Sequence, residues 1–394
     1  MQETVYSEQN SFVQEWSKMK KIMTVFGTRP EAVKMAPLVL ELQNDAELEP
    51  VVVVTAQHRE MLDSVLTSFH IEPDYDLNIM KQGQSLSDIT SRILTRIEDV
   101  IKKEQPDMIL VHGDTMTTFA GSLAALYNQI PIGHVEAGLR TWDKYAPFPE
   151  EMNRQMVGVM ADLNFAPTNN AANNLIAENK PLESIVVTGN TAIDAMKTTI
   201  HNNYQSAIIE KHRDKRIILL TAHRRENIGE PMAHIFKAIR DIVELYEDVV
   251  VVYPVHKNPK VRQIADKYLS NHARIELIEP LEVVDFHNFA QQAYLILTDS
   301  GGVQEEAPSL GKPVLVLRDA TERPEGVDAG TLKIVGTNEQ HIFESTKQLL
   351  EDETVYQSMS EARNPYGDGK ASKRICENIK YYFHLISEKP ESFK

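Results

Sequence analysis

Short apolar, β-branched runs alternate with longer amphipathic stretches from Ile22 almost to the C-terminus. The runs Ile22–Phe26, Val51–Thr55, Met108–His112, Ile132–Glu136, Leu163–Ala166 and Ile185–Thr188 read as strands. A second series follows at Ile217–Thr221, Val249–Val255, Ile275–Ile278, Tyr294–Thr298, Val314–Leu317 and Leu332–Val335. Between most of them the apolar period lengthens to that of a helix, as in Ala32–Gln43, Leu86–Lys103, Thr115–Gln129 and Ile235–Tyr246. Near-continuous apolar strands separated by helices predict parallel sheets covered on both faces, because each parallel crossover lays a helix on the sheet. Two successive sets of strands predict an α/β chain of two doubly wound domains. The boundary falls near Thr188–Asn190, before a polar helix and the basic run Lys211–Arg216.

Composition fits that picture. A chain of 394 residues exceeds one ordinary core, at roughly 150 residues per domain. No apolar run reaches the roughly 18 residues that a membrane span needs. Met1 to Lys20 is mostly polar and lacks the apolar core of a signal peptide, so it reads as an extension before the first strand. The single cysteine, Cys376, leaves no disulfide within the chain and no cysteine-rich zinc site, which fits a reducing, cytoplasmic setting. A net charge of −16 argues against a nucleic-acid-binding surface. It leaves room for an anionic ligand held locally by arginines and helix N-termini.

In open parallel sheets ligands sit beyond the carboxyl ends of the strands. The unusual residues lie there. After the first run come Gly27-Thr28-Arg29-Pro30-Glu31. Thr28 and Glu31 have capping-box spacing, and Pro30 suits a first helical turn. Arg29 opposes the helix dipole, so an anion explains it better than the helix does. Lys34 adds a second positive charge one turn on. The third run ends in His112-Gly113-Asp114-Thr115, where Asp114 is either a helix cap or a functional carboxylate. The fourth ends in His134-Val135-Glu136, an acid closing an apolar run with little local reason to be charged. If these strands pair side by side, Asp114 and Glu136 face one ligand and their repulsion raises one pKa. Carboxylates with separated pKa values suit acid–base work on a sugar carbon. Pro149-Glu150-Glu151-Met152-Asn153-Arg154 begins another helix; Glu150 and Arg154 have the spacing of a surface ion pair, or of a charged turn closing on a substrate.

In the second half, His223-Arg224-Arg225-Glu226-Asn227 leaves its first strand, and His256 holds the analogous place one strand later. A histidine flanked by two arginines at a strand end suits phosphate. Thr298-Asp299-Ser300-Gly301-Gly302 leads a strand into a helix, with glycines that let the backbone approach a diphosphate. Glu306 can accept from both hydroxyls of a ribose, and Arg318 and Arg323 add charge after the next strand. No Gly-x-Gly-x-x-Gly dinucleotide fingerprint and no Walker-type loop occurs. The thirteen histidines show no metal-ligand spacing, so no metal is inferred.

Taken together, GTRPE at Gly27–Glu31, HGDT at His112–Thr115, HVEAGLR at His134–Arg140, PEEMNR at Pro149–Arg154, HRREN at His223–Asn227 and DSGGVQEE at Asp299–Glu306 resemble the non-hydrolysing bacterial UDP-N-acetylglucosamine 2-epimerases. The resemblance runs from about Lys21 to the last helix. It implies a glycosyltransferase-B-like architecture: an extension at 1–20, Rossmann-like domains at 21–189 and 190–368 with a cleft between them, and a helix at 369–394 returning to the first. It implies an isomerase that converts UDP-GlcNAc to UDP-ManNAc without metal or nicotinamide, for surface polysaccharides such as teichoic acid or capsule. By motif, Asp114, Glu136, Glu150 and His223 fall at catalytic positions. Arg29, Lys34, Phe286, Ser300, Gly301, Gly302, Glu306 and Arg323 fall at positions that hold UDP. Gln57, Gln84, Arg224 and His256 resemble a contact set for a second, activating UDP-GlcNAc, although Gly83 stands where some relatives carry a basic residue. A homodimer is the family expectation, and neither nucleic acid nor membrane is an expected partner.

The chemistry constrains the mechanism. C2–H of the sugar has no activating carbonyl, so its removal requires UDP to leave C1 as positive charge develops on the ring. That route gives a 2-acetamidoglucal, to which UDP returns after protonation of the other face. A hydrolysing epimerase, a glycosyltransferase of the same fold and a non-catalytic UDP-sugar sensor are the competing readings. The sensor has no use for Asp114, Glu136 and His223 together.

Overall fold

The computed structural model describes residues 19–56, 59–81 and 83–394. Among them the chain forms two parallel sheets, as the strand pattern predicts. The first contains β1 (Lys20–Phe26), β2 (Leu48–Val54), β3 (Tyr75–Asp76), β4 (Met108–His112), β5 (Ile132–Val135), β6 (Leu163–Ala166) and β7 (Ile185–Val187), in the order β3-β2-β1-β4-β5-β6-β7. The second contains β8 (Arg216–Thr221), β9 (Val249–Pro254), β10 (Ile275–Ile278), β11 (Leu295–Thr298), β12 (Val314–Val316) and β13 (Leu332–Ile334), in the order β10-β9-β8-β11-β12-β13. Strand order reverses between β1 and β4 and again between β8 and β11, the switch points where open sheets take ligands.

The predicted strands are present with ends shifted by up to three residues, and β3 is an addition. Tyr75 and Asp76, pairing with β2 at the sheet edge, are too few to carry a periodicity. One shift matters. Glu136, predicted to finish a strand, lies just beyond β5 with φ of 61°, in the left-handed region.

The helices close over apolar cores. In the first sheet Met23, Val25, Val53, Ile109 and Val111 pack against Ile93 and Ile97 of the helix Leu86–Glu104 and Ala120 and Ala124 of the helix Met116–Tyr127. In the second, Ile218, Leu220, Val251 and Leu297 pack under Ile235, Phe236 and Ile239 of the helix Glu230–Leu245. Full burial of each such Val, Leu, Ile, Met or Phe side chain contributes roughly 1.5–3 kcal/mol.

The chain divides into two compact units, one of the described residues up to Ala195 together with Gly369–Lys394, the other Met196–Asp368. Sequence reading divides the domains after 189; the chain passes from one unit to the other six residues later, within the helix Thr191–Thr199. The C-terminal segment is fastened to the first unit. The helix Ala371–Tyr382 packs on the helix Arg29–Gln43. The buried carboxylate of Asp194 accepts the N–H groups of Ala371 and Ser372 at 3.1 and 2.8 Å, an anion where the helix dipole favours one. Lys380 pairs with Asp45 at 2.7 Å, and the N–H of Phe393 donates to Val187 at 2.8 Å.

Candidate active site

In the first unit the functional candidates gather beyond β1, β4 and β5. The capping box is realised: Thr28 caps the helix Arg29–Gln43, and the Glu31 carboxylate accepts the N–H of Gly27 and of Thr28 at 3.2 and 2.8 Å. Glu31 also accepts from the hydroxyl of Thr115 at 2.8 Å, which ties this turn to the end of β4. Burial raises its pKa to about 7, against the pull of those hydrogen bonds. Gly27 must be glycine, because a Cβ there would stand 1.8 Å from Thr55 Oγ1. The box therefore holds the backbone of Arg29, the partly buried cation of the turn, at the switch point.

Adjacent pairing of β4 and β5 is observed, with His112 opposite Val135, so Asp114 and Glu136 follow neighbouring strand ends. Asp114 is not a cap; Thr115 caps the next helix. Instead Arg154 grips Asp114 through Nε and Nη2 at 2.9 and 2.6 Å. Lys34 donates to Glu136 Oε2, and Asn190 Nδ2 donates to the same oxygen at 3.1 Å. The expectation of two mutually repelling carboxylates is corrected accordingly: each faces a cation of its own. His112 and His134 back the pair from below. Burial pushes both imidazoles down to about 4, so they are neutral. His134 Nε2 lies 2.7 Å from the carbonyl of Gly113, a contact that fixes the turn leading to Asp114.

Glu150 opens the helix Glu150–Met160, half-buried. Its suggested ion pair with Arg154 is replaced, because Arg154 turns to Asp114 and to Glu151, the latter at 3.3 Å. Glu151 was not singled out by sequence, yet it is fully buried and organises the approach to Glu150. It accepts the N–H of Thr141 at 3.0 Å and of Trp142 at 3.2 Å. Burial opposes its charge, but these bonds, with Gln155 and Arg154, hold its pKa below the usual value. The loop it anchors exposes Trp142, Tyr145 and Phe148.

In the second unit the candidates follow β8 and β11. Asp299, fully buried, organises them. Its Oδ2 accepts the N–H of His223 and of Arg224, both at 2.8 Å, and Asn227 Nδ2 at 3.1 Å, while Oδ1 lies 3.5 Å from His223 Nδ1. His223 stacks on His256 at 5.3 Å between centroids. Burial lowers the His223 pKa, Asp299 opposes that, and His256 and Arg224 add to it.

Ser300 starts the helix Gly301–Glu306 without a side-chain cap. Positive charge converges on that start: a Cβ on Gly301 would lie 3.7 Å from Arg224 Nη2 and 3.8 Å from Arg323 Nη2. Glu305 holds Arg323. Gly302 is partly buried, and Arg318 turns instead to Glu226 at 3.1 Å. Glu306 lies 3.3 Å from His287 Nε2, whose Nδ1 is 2.7 Å from the Thr199 hydroxyl. With Thr199 donating to Nδ1, Nε2–H points at Glu306 and orients it. Phe286 packs edge-on to His287 at 6.3 Å.

Of the four activator positions, Gln57 lies outside the described residues. Gln84 belongs to the first unit and accepts from Arg92 at 2.9 Å. Arg224 and His256 belong to the second, both in direct contact with the Asp299–His223 group. Sequence reasoning assigned no role to Asp299, His287 or Glu151 and gave Arg154 a different partner, Glu150. Asp299, Arg154 and Glu151 lie within the quoted motifs, but only their partners reveal what they do.

Two doubly wound parallel sheets with carboxylates at one switch point and an arginine-flanked helix start at the other define an α/β enzyme for an anionic substrate. The chain belongs to the UDP-N-acetylglucosamine 2-epimerase family, whose model matches residues 40–380. It is 62% identical over 376 residues to the UDP-N-acetylglucosamine 2-epimerase of Bacillus subtilis (strain 168), covering 95% of this chain and 99% of that one. The S. aureus MnaA–UDP co-structure superposes with a TM-score of 0.86 at 68% identity, covering 95% of this chain and all of that one (100%). The UDP-GlcNAc 2-epimerase of Neisseria meningitidis, solved bound to UDP-GlcNAc, gives a TM-score of 0.82 at 50% identity, covering 92% of this chain and 100% of that one.

Proposed function

We propose that the chain reversibly converts UDP-GlcNAc to UDP-ManNAc by eliminating UDP to a 2-acetamidoglucal and adding it back, without hydrolysis. The observation that carries this reading is the placing of Asp114 and Glu136 beyond adjacent strands, each with a cation beside it, Arg154 at Asp114 and Lys34 at Glu136. The structures with UDP and with UDP-GlcNAc among its relatives support the choice of substrate.

Ionised carboxylates suit both demands of the reaction. One removes H2 while the other steadies the positive charge that develops as the C1–O bond breaks. Glu150, at the mouth of its helix, is the third acid for protonating the opposite face. The charge of the departing UDP is proposed to be met by Arg29, Lys34 and Arg323, with His223 and the helix start at Ser300 as hydrogen-bond donors. Glu306, oriented by His287, takes the ribose, and Phe286 the uracil side. Water has to be kept out while the glucal waits, or UDP and the sugar separate.

Arg224, His256, Gln57 and Gln84 form the proposed contact set for a second UDP-GlcNAc. Its route to the chemistry is short, since His256 stacks directly on His223. The working enzyme is proposed to be a cytoplasmic homodimer that supplies ManNAc for surface polysaccharide.

Incubation with UDP-GlcNAc alone in D₂O, followed by proton NMR, tests the reading. Intact UDP-ManNAc and loss of the C2 proton signal from both nucleotide sugars are expected. Free UDP with ManNAc would identify a hydrolysing enzyme instead. An unchanged spectrum would leave a transferase or a sensor.

A further inference from the structure

We propose that His112 is a positioning residue for Glu136, taking up its carboxylate when the substrate's diphosphate draws Lys34 away. This rests on the reading above, in which a diphosphate is what Lys34 meets. His112 ends β4 at 4% exposure, and neither ring nitrogen has a hydrogen-bond partner among the described residues. A polar group unmade in a core is a standing cost that an apolar side chain of the same size would remove. The imidazole is aimed: its Nε2 lies 3.8 Å from Glu136 Oε2, the oxygen that Lys34 and Asn190 now hold. That gap is one small tilt from a hydrogen bond.

The backbone around the carboxylate is committed to this aim. Glu136 sits at φ of 61°, a region that costs a non-glycine residue energy and persists where surroundings enforce it. Lys34, by contrast, is a point charge on a flexible four-carbon stem. A diphosphate arriving at the Arg29 turn outbids a single carboxylate for it. Once Lys34 turns, Glu136 loses its cation and becomes the stronger base, but it also loses a holder. His112 Nε2–H replaces that holder with a neutral donor, which fixes the carboxylate without the charge that would blunt its basicity. Burial keeps the imidazole neutral for that role. Asn190 stays as the second donor.

The experiment compares His112→Leu, His112→Gln and His112→Asn with wild type. It measures kcat and KM for UDP-GlcNAc, C2 exchange in D₂O, and the Kd of UDP by calorimetry. Leucine removes the donor at similar volume and should lower kcat and C2 exchange about 30-fold, with KM and Kd within about twofold. Glutamine places its amide near the Nε2 position and should restore kcat to within about fivefold of wild type; asparagine, which reaches only the Nδ1 position, should not. If the leucine variant does not fold, the glutamine–asparagine difference carries the test alone. Equal kcat for those two, or a leucine variant within about twofold of wild type, overturns the role of His112. A parallel loss of UDP affinity overturns it too, since that marks a structural part. No C2 exchange in wild type overturns the functional reading, and this proposal with it.

Discussion

Arg154 places both Nε and Nη2 on a single oxygen of Asp114, Oδ2, at 2.9 and 2.6 Å. The grip reaches across 40 residues and joins the helix Glu150–Met160 to the end of β4. It fixes the carboxylate in direction as well as charge, because a guanidinium fork is rigid where an ammonium is not. Arg154→Lys should therefore lower kcat about tenfold and Arg154→Met about 100-fold, with UDP affinity unchanged. Steady-state kinetics beside UDP titration would check this. A methionine variant with wild-type kcat would remove the pair from the machinery.

Substituting Asp114 directly gives a sharper contrast. Asp114→Asn keeps the shape and a partner for Arg154 but not the charge. Turnover should fall by about 100-fold or more while UDP still binds. Unchanged turnover would take Asp114 out of the catalytic set.

The diphosphate end is testable apart from the sugar end. Arg323 is held by buried Glu305, so Arg323→Met alone would strand a charge. Combined with Glu305→Gln, it should raise the Kd of UDP about tenfold and flatten its dependence on salt. Calorimetry at two salt concentrations would show both effects. An unchanged Kd would mean that Arg323 serves only the fold.

Gly27 sets a steric limit on the first turn. Gly27→Ala puts a methyl group into Thr55 Oγ1 and close to Thr117 Oγ1, 2.9 Å away. Overpacking of this kind costs about 1–3 kcal/mol, and a fall in Tm of about 5 °C is expected in thermal unfolding. A variant as stable as wild type would show that the β2 end gives way easily.

Stability should fall as the solution is acidified from pH 6.5 towards 4. His112 and His134, with folded pKa values of about 4 against about 6.5 unfolded, bind protons more readily in the unfolded chain across that window. Their contribution is present at neutral pH and is lost as pH falls. Glu31, raised to about 7, works the other way: its contribution is present at low pH and is lost as pH rises from about 4.5 to 7. Two histidines against one carboxyl leave a net loss on the order of 1.4 kcal/mol per pH unit between about 6.5 and 4.5. His134→Gln retains a donor for the Gly113 carbonyl but cannot titrate. It should reduce the loss between pH 7 and pH 5 by about 2 kcal/mol in urea unfolding. An identical pH slope in the variant would mean that His134 is not buried neutral.

Much of this was legible along the chain because local physics writes it there. Apolar runs such as Val51–Val54 and Met108–His112 set strand positions, since a strand covered on both faces has no polar alternation to keep. Thr28, Pro30 and Glu31 announce a helix start through bonds that close within four residues. The placing of Asp114 and Glu136 beyond neighbouring strands was expected if two consecutive strands joined by one helix pair side by side, and β4 and β5 do. What the sequence could not contain was the choice of partners. Residues 34 and 136 are 102 positions apart, 114 and 154 are 40 apart, and 299 meets 223 across 76. No local period links them, and a charge seen alone looks the same whether it will be paired or bare. Only the packed sheets bring those ends within hydrogen-bond reach and set Asp114 and Glu136 beside cations, and burial then keeps His112 and His134 neutral.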